Sequence, residues 1–123
     1  METKALLEIV LEIADAFKGE DIKTMHVTER CSFTDYFVLV TGSSSLTIQA
    51  MAEEMIFRCK HADRPPLHVE GLTSGEWVLL DFGDVIVHLF TQERREYFNL
   101  ESLWTHERPL LSEDASESKD SSE

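Results

Sequence analysis

Two carboxylates three residues apart, Asp81 and Asp84, have the residue types and spacing of a possible paired-carboxylate site. They flank Phe82 and Gly83 between two apolar segments, so a tight turn would bring the carboxylates opposite each other. Paired carboxylates can act as general acid and base. Aspartates in turns more often accept hydrogen bonds from the local backbone, so the sequence favours a structural role.

A second candidate is Gly42–Ser43, which follows a predicted strand and precedes a predicted helix. Backbone N–H groups at a helix start bind anions. A Gly-Ser pair here is similar to the start of the nucleotidyltransferase site, but the next strand carries the single acid Glu70 and not the metal-binding pair of that family. No GK[ST] follows, which excludes a Walker loop. A strand-to-helix turn with a serine N-cap is favoured, and a diverged nucleotidyltransferase-like enzyme or nucleotide-binding protein is the alternative.

The histidines and cysteines do not match known metal or nucleophile patterns. None of the five histidines has the spacing of a helical zinc site, and Cys31 and Cys59 form neither a CxxC pair nor a disulfide framework. Residues 81–83 match the kinase metal triplet in letters only, because the other kinase motifs are missing. The sequence predicts no enzyme, no metal and no cofactor.

The acids and His88 belong to residues 76–90, which are predicted to form a hairpin. A turn at Phe82 and Gly83 pairs Asp81 with Asp84, Leu79 with Ile86, and Trp77 with His88. Strand alternation then gives an apolar face of Val78, Leu80, Val85, Val87 and Leu89, and a second face of Trp77, Leu79, Asp81, Asp84, Ile86, His88 and Phe90. The first face is predicted to be core. The split depends on register, because a turn one residue longer would move the second strand to the opposite face.

The remaining pattern predicts one α/β (α+β) domain, residues 1–109, with helices packed on a mixed five-stranded sheet. Helices are expected at residues 3–18, 45–61 and 94–104, and strands at 22–27, 36–40, 67–70 and in the hairpin. The order is α-β-β-α-β-β-β-α, a nucleotidyltransferase-like topology without the catalytic acids. Residues 110–123 are predicted to be a disordered acidic tail, because they lack the apolar side chains that offset ordering entropy.

The charge balance is strongly acidic, with 24 Asp and Glu against 11 Lys and Arg and a net charge of −13. Such a chain is repelled by nucleic acids and anionic membranes, and it attracts basic protein surfaces. Maintaining solubility is the plainer explanation. Without a membrane-length apolar run, a signal-peptide core or a disulfide pattern, the sequence predicts a cytoplasmic protein.

Four segments in register resemble one family: TDYFVLVTGSSS at 34–45, HVEGL at 68–72, EWVLLDFGDVIVHLF at 76–90 and RREYFNLESLW at 94–104. Together they resemble the ribosomal silencing factor family, also called Iojap or YbeB-like, across residues 3–108. The resemblance implies a homodimeric, cytoplasmic translation repressor that binds the large ribosomal subunit at protein L-fourteen and blocks small-subunit joining.

With that resemblance, the second face of the hairpin becomes the expected partner-binding surface. Trp77 would be the apolar anchor, although core packing is the better explanation of Trp77 from the sequence alone. Glu70, Asp81 and Asp84 would be the charge partners, with Leu79 and His88 on the same surface. For His88, a buried, hydrogen-bonded ring is the alternative, and a structural oligomer is a third possible function of the whole chain.

Overall fold

The computed structural model describes residues 2–28 and 34–98, with side chains up to residue 96. Eight elements follow along the chain: α1 (Thr3–Ala16), β1 (Glu20–His26), β2 (Tyr36–Thr41), α2 (Ser45–His61), β3 (His68–Glu70), β4 (Trp77–Asp81), β5 (Val85–Phe90) and α3 (Gln92–Phe98). This order confirms the predicted arrangement. The later part of predicted helix 94–104 and the predicted tail 110–123 lie outside the described residues.

The five strands form one mixed sheet in the order β1-β2-β5-β4-β3. Strands β2 and β5 lie side by side and parallel at its centre, and the other three pairings are antiparallel. Residues 37–41 of β2 are all buried. Burial on both faces is typical of a strand in which apolar residues do not alternate with polar ones. The predicted mixed five-stranded sheet is therefore confirmed.

Both long helices pack on one face of this sheet. The core cluster contains Leu6, Val10 and Ile13 of α1, Ile48, Met51 and Met55 of α2, and Val38, Val40, Val78, Leu80, Val85, Val87 and Leu89 of the sheet, all at most 1% exposed. The apolar hairpin face predicted from the sequence is therefore core. Among the helices in the described ranges, none has the length and apolar content needed to cross a bilayer.

Local capping explains where the helices begin and end. Helix α2 has the predicted bounds, and the Ser44 hydroxyl accepts a hydrogen bond from the Thr47 N–H at 3.2 Å, so the predicted serine cap is confirmed. Helix α1 ends two residues earlier than expected, because Lys18 adopts a left-handed φ of 60° that cannot continue the helix. Helix α3 starts two residues earlier than expected, where the Thr91 hydroxyl accepts from the Arg94 N–H at 3.3 Å.

The predicted register of the β4–β5 hairpin was wrong. The observed pairs are Trp77 with Phe90, Leu79 with His88 and Asp81 with Ile86, in place of Asp81–Asp84, Leu79–Ile86 and Trp77–His88. Phe82 is 4% exposed and packs in the core, and its N–H donates to the Val85 carbonyl at 2.8 Å. The turn therefore moves one position, to residues 83–84, with Gly83 at φ 95° where a type II′ turn places glycine.

This change of register keeps the predicted faces of the strands. Moving a two-residue turn along by one position shifts each cross-strand partner by two residues, and side chains alternate with a period of two. Each strand residue therefore stays on the face assigned to it from the sequence.

Candidate protein-binding face

We call the sheet face opposite α1 and α2 the mixed face. Its members are Lys23 and Met25 of β1, Phe37, Leu39 and Thr41 of β2, Ile86, His88 and Phe90 of β5, Trp77, Leu79 and Asp81 of β4, and His68 and Glu70 of β3. The β2 and β5 members are buried, the β4 members and Met25 are partly exposed, and Lys23 and the β3 members are exposed. The mixed face is therefore buried at its centre and accessible at its two sides, and the residues predicted for binding lie on the β3–β4 side.

Aromatic rings form the centre of the mixed face. The centre of the Trp77 ring lies 5.8 Å from that of Phe90 and 5.9 Å from that of His88, and the Phe37 and His88 rings form a T-shaped pair with centres 5.4 Å apart. Burial lowers the pKa of His88 to about 4, so its imidazole is neutral at physiological pH. His88 is thus a buried, hydrogen-bonded residue beneath the accessible surface, whereas Trp77 and Leu79 reach that surface.

Two of the predicted charge partners lie near this apolar centre. Glu70 pairs with Leu79 across β3 and β4, and its carboxylate lies 2.6 Å from His68 Nε2 at the exposed sheet edge. Asp81 accepts a hydrogen bond from the Gly83 N–H at 2.8 Å, which is the local turn contact favoured by the sequence. The structure therefore places Trp77, Leu79, Glu70 and Asp81 on adjoining parts of one face.

Asp84 lies apart from these residues. Its carboxylate accepts hydrogen bonds from the Thr3 hydroxyl of α1 and from the Arg64 guanidinium beyond α2. Partial burial would raise the pKa of Asp84, but these two hydrogen bonds and the charge of Arg64 outweigh burial and hold the pKa below its ordinary value. Asp84 therefore ties the hairpin turn to α1 and to the segment after α2, and its role as a charge partner stays a prediction.

The features considered for catalysis have structural explanations. Asp81 and Asp84 accept hydrogen bonds from different parts of the chain and do not form a shared site. Gly42 packs so closely on α2 that an added Cβ would lie 2.5 Å from Ile48 Cγ1. Within the described ranges, no three His, Cys, Asp or Glu side chains form a group that could hold a metal ion.

Arg95 of α3 packs on the mixed face and was not singled out by the sequence analysis. It is 4% exposed, lies 5.7 Å from the Phe90 ring centre, and donates to the Thr41 hydroxyl at 2.9 Å and to the Asp21 carbonyl at 2.7 Å. These contacts fix α3 against the end of the sheet next to Trp77. Sequence reasoning missed it because an arginine in a short helix is ordinarily exposed.

Comparison with known proteins gives concordant results. The family model described as "Ribosomal silencing factor during starvation" matches residues 1–123. A ribosomal silencing factor of Haemophilus influenzae is 38% identical over 100 residues, which cover 81% of this chain and 98% of the relative. One from Zymomonas mobilis is 38% identical over 103 residues, covering 84% and 77%. A crystal structure of a Chromobacterium violaceum protein superimposes with a TM-score of 0.82 at 31% identity, covering 94% of this chain and 97% of that one.

Proposed function

The chain belongs to the ribosomal silencing factor family, and we propose that it represses translation by binding the large ribosomal subunit. Contact is made with ribosomal protein L-fourteen, and the bound protein blocks association of the small subunit. The observation that carries this proposal is the accessible β3–β4 side of the mixed face, where Trp77 and Leu79 adjoin the acids Glu70 and Asp81.

This combination has the composition of a protein-binding surface. Tryptophan is enriched among residues that dominate binding energy, and polar groups around such an anchor exclude water from it. The carboxylate of Glu70 is well exposed, with 66% of its side-chain surface accessible. A partner suited to this surface presents an apolar patch flanked by lysine or arginine.

The net charge of −13 supports the same kind of partner. Acidic surfaces accelerate association with basic ones, and the effect decreases as salt increases. Direct binding to RNA is disfavoured, since phosphate contacts require clustered cations. The proposal therefore has the chain recognise a ribosomal protein and reach the subunit through it.

Silencing by occlusion requires no chemical step from the chain. A bound protein prevents subunit joining whenever its volume overlaps the space that the small subunit must occupy. The proposal is therefore non-enzymatic and uses no cofactor. It places the protein in the cytoplasm, with a homodimer as the form implied by the family resemblance.

Sedimentation with purified ribosomal subunits tests the proposal. We expect the protein to sediment with large subunits and not with small ones, and to reduce the yield of joined ribosomes. Glu70→Lys should weaken this association, and Glu53→Lys is the matched control because Glu53 is an exposed acid on α2. Equal binding to both subunits, or to neither, would refute the proposal.

A further inference from the structure

A side-chain hydrogen bond crosses the hairpin on the mixed face. Trp77 Nε1 lies 3.1 Å from His88 Nδ1. The two residues are not cross-strand partners, because Trp77 lies opposite Phe90 and His88 opposite Leu79. The bond therefore runs diagonally between neighbouring positions of the β4–β5 ladder and fixes the direction in which the indole points.

The chemistry of the two rings determines the roles in this bond. An indole nitrogen only donates, so Nδ1 of His88 must be unprotonated and the ring proton must be on Nε2. His88 is 6% exposed and its imidazole forms a T-shaped pair with the Phe37 ring, and burial in such surroundings favours the neutral form. The chain therefore supplies the indole of Trp77 with a buried acceptor.

We propose that His88 is a positioning residue that satisfies the indole N–H of Trp77 within the chain, so that Trp77 is presented to its partner as an apolar ring. The corresponding site on the partner is an apolar pocket with no hydrogen-bond acceptor for the indole. This inference rests on the proposed binding function of the mixed face.

The physical advantage of this arrangement arises when the partner covers Trp77. A polar group that loses water without gaining a hydrogen bond carries a large desolvation cost. Here the N–H already has a partner before binding, so an apolar pocket can cover the ring without that cost. The bond also restricts the rotamer of Trp77 in the free protein, which reduces the entropy lost on docking.

Variants at Trp77 and His88 distinguish the contribution of the Trp77 aromatic ring to binding from that of its indole N–H. His88→Leu removes the acceptor, and His88→Asn restores one, because Asn Oδ1 occupies a position similar to that of Nδ1. We expect His88→Leu to weaken binding to large subunits about tenfold and His88→Asn to recover most of that loss. In a Trp77→Phe background, His88→Leu should have little further effect, since phenylalanine has no N–H to satisfy.

Trp77→Phe itself tests the partner's chemistry. It keeps an aromatic ring, so we expect a loss of only a few fold, compared with about thirtyfold or more for Trp77→Ala. If Trp77→Phe binds as poorly as Trp77→Ala, the partner accepts a hydrogen bond from the indole and the inference is wrong. It is also wrong if His88→Leu and His88→Asn weaken binding equally.

A measurement on the free protein separates this inference from the proposed function. Nitrogen-15 NMR should show His88 with an unprotonated Nδ1. The Trp77 indole signal is assigned through its loss in Trp77→Phe. This signal should shift in His88→Leu and return towards its original position in His88→Asn. A protonated Nδ1 or an unshifted indole signal would overturn the inference. If these signals appear as expected but the wild-type protein binds no large subunit, the positioning contact stands and the ribosomal partner is wrong.

Discussion

Asp84 in the β4–β5 turn and Arg64 beyond the end of α2 form an ion pair with a nitrogen–oxygen distance of 2.5 Å. Their side chains are 23% and 20% exposed, so water screens this pair less than it screens an ion pair on the open surface. Thr3 donates to the same carboxylate from α1. One side chain in the turn thus connects three segments that are far apart in sequence.

Replacing the Asp84 carboxylate should lower the folding stability and leave the affinity for large subunits nearly unchanged. We expect Asp84→Asn to reduce the free energy of unfolding by about 1–2 kcal/mol, because the ion pair between Asp84 and Arg64 is lost. The matched control is Glu12→Gln, which breaks the more exposed Arg58–Glu12 pair and should cost less than about 0.5 kcal/mol. Urea denaturation measures both. Unchanged stability together with lost binding would instead make Asp84 the charge partner predicted from the sequence.

Trp77 and Val78 are adjacent residues on opposite faces of β4, so their alanine variants should have opposite effects. Val78 is fully buried in the core, and Val78→Ala should lower the unfolding free energy by about 2 kcal/mol while its folded fraction binds normally. Trp77→Ala should melt much closer to wild type and lose about thirtyfold or more in affinity.

Thermal unfolding and large-subunit binding, measured on both variants, decide between interface and core for Trp77. If Trp77→Ala melts far below wild type and its folded fraction still binds, Trp77 is a core residue. The binding surface would then have to be assigned elsewhere.

The hairpin shows how far the sequence could predict this site. Alternation was enough to assign Val78 to the core and Trp77 to the mixed face, because the apolar pattern determines which side of a strand is buried. The position of the turn depended on Phe82, whose ring packs in the core. An apolar residue beside Gly83 is compatible with either turn, so local sequence could not decide the register.

The charged residues were harder to predict, because their roles depend on segments distant in sequence. Asp84 is 20 residues from Arg64 and 81 from Thr3, and Arg95 is 54 residues from Thr41. Local sequence patterns cannot predict contacts between residues so far apart in the chain. Strand alternation was enough to place Asp81 on the same face as Trp77. Glu70 lies on another strand, and it shares that face because of the β3–β4 register, which pairs it with Leu79.

Salt should weaken binding to large subunits, because the proposed attraction joins an acidic chain to a basic protein. Screening acts over about 8 Å at physiological ionic strength. Residues 112–123 contain five acids and one lysine, and we expect this segment to add to long-range attraction only. A chain truncated after residue 111 should fold normally and retain most of its affinity, with a smaller dependence on salt. Loss of binding after truncation would make these residues a recognition element.

Acid should destabilise the protein in two separate pH ranges. Burial lowers the pKa of His88 to about 4, whereas an unfolded histidine has a pKa of about 6.5. Between these values the unfolded chain binds a proton that the folded chain excludes, so stability falls as pH decreases from about 6.5 to 4, by up to about 3 kcal/mol. Asp84 acts at lower pH, because its pKa in the folded protein is below the ordinary value for aspartate. The stability that Asp84 contributes is present above that ordinary value and is lost as pH falls through the folded pKa.

Urea denaturation at a series of pH values distinguishes the two groups. The variant His88→Asn should lose most of the decrease between pH 6.5 and 4 and keep the decrease at lower pH, because it removes the buried titrating ring and leaves Asp84 in place. Asp84→Asn should show the opposite pattern. If His88→Asn keeps the full decrease above pH 4, another group titrates in that range and His88 is not the residue that makes the fold sensitive to mild acid.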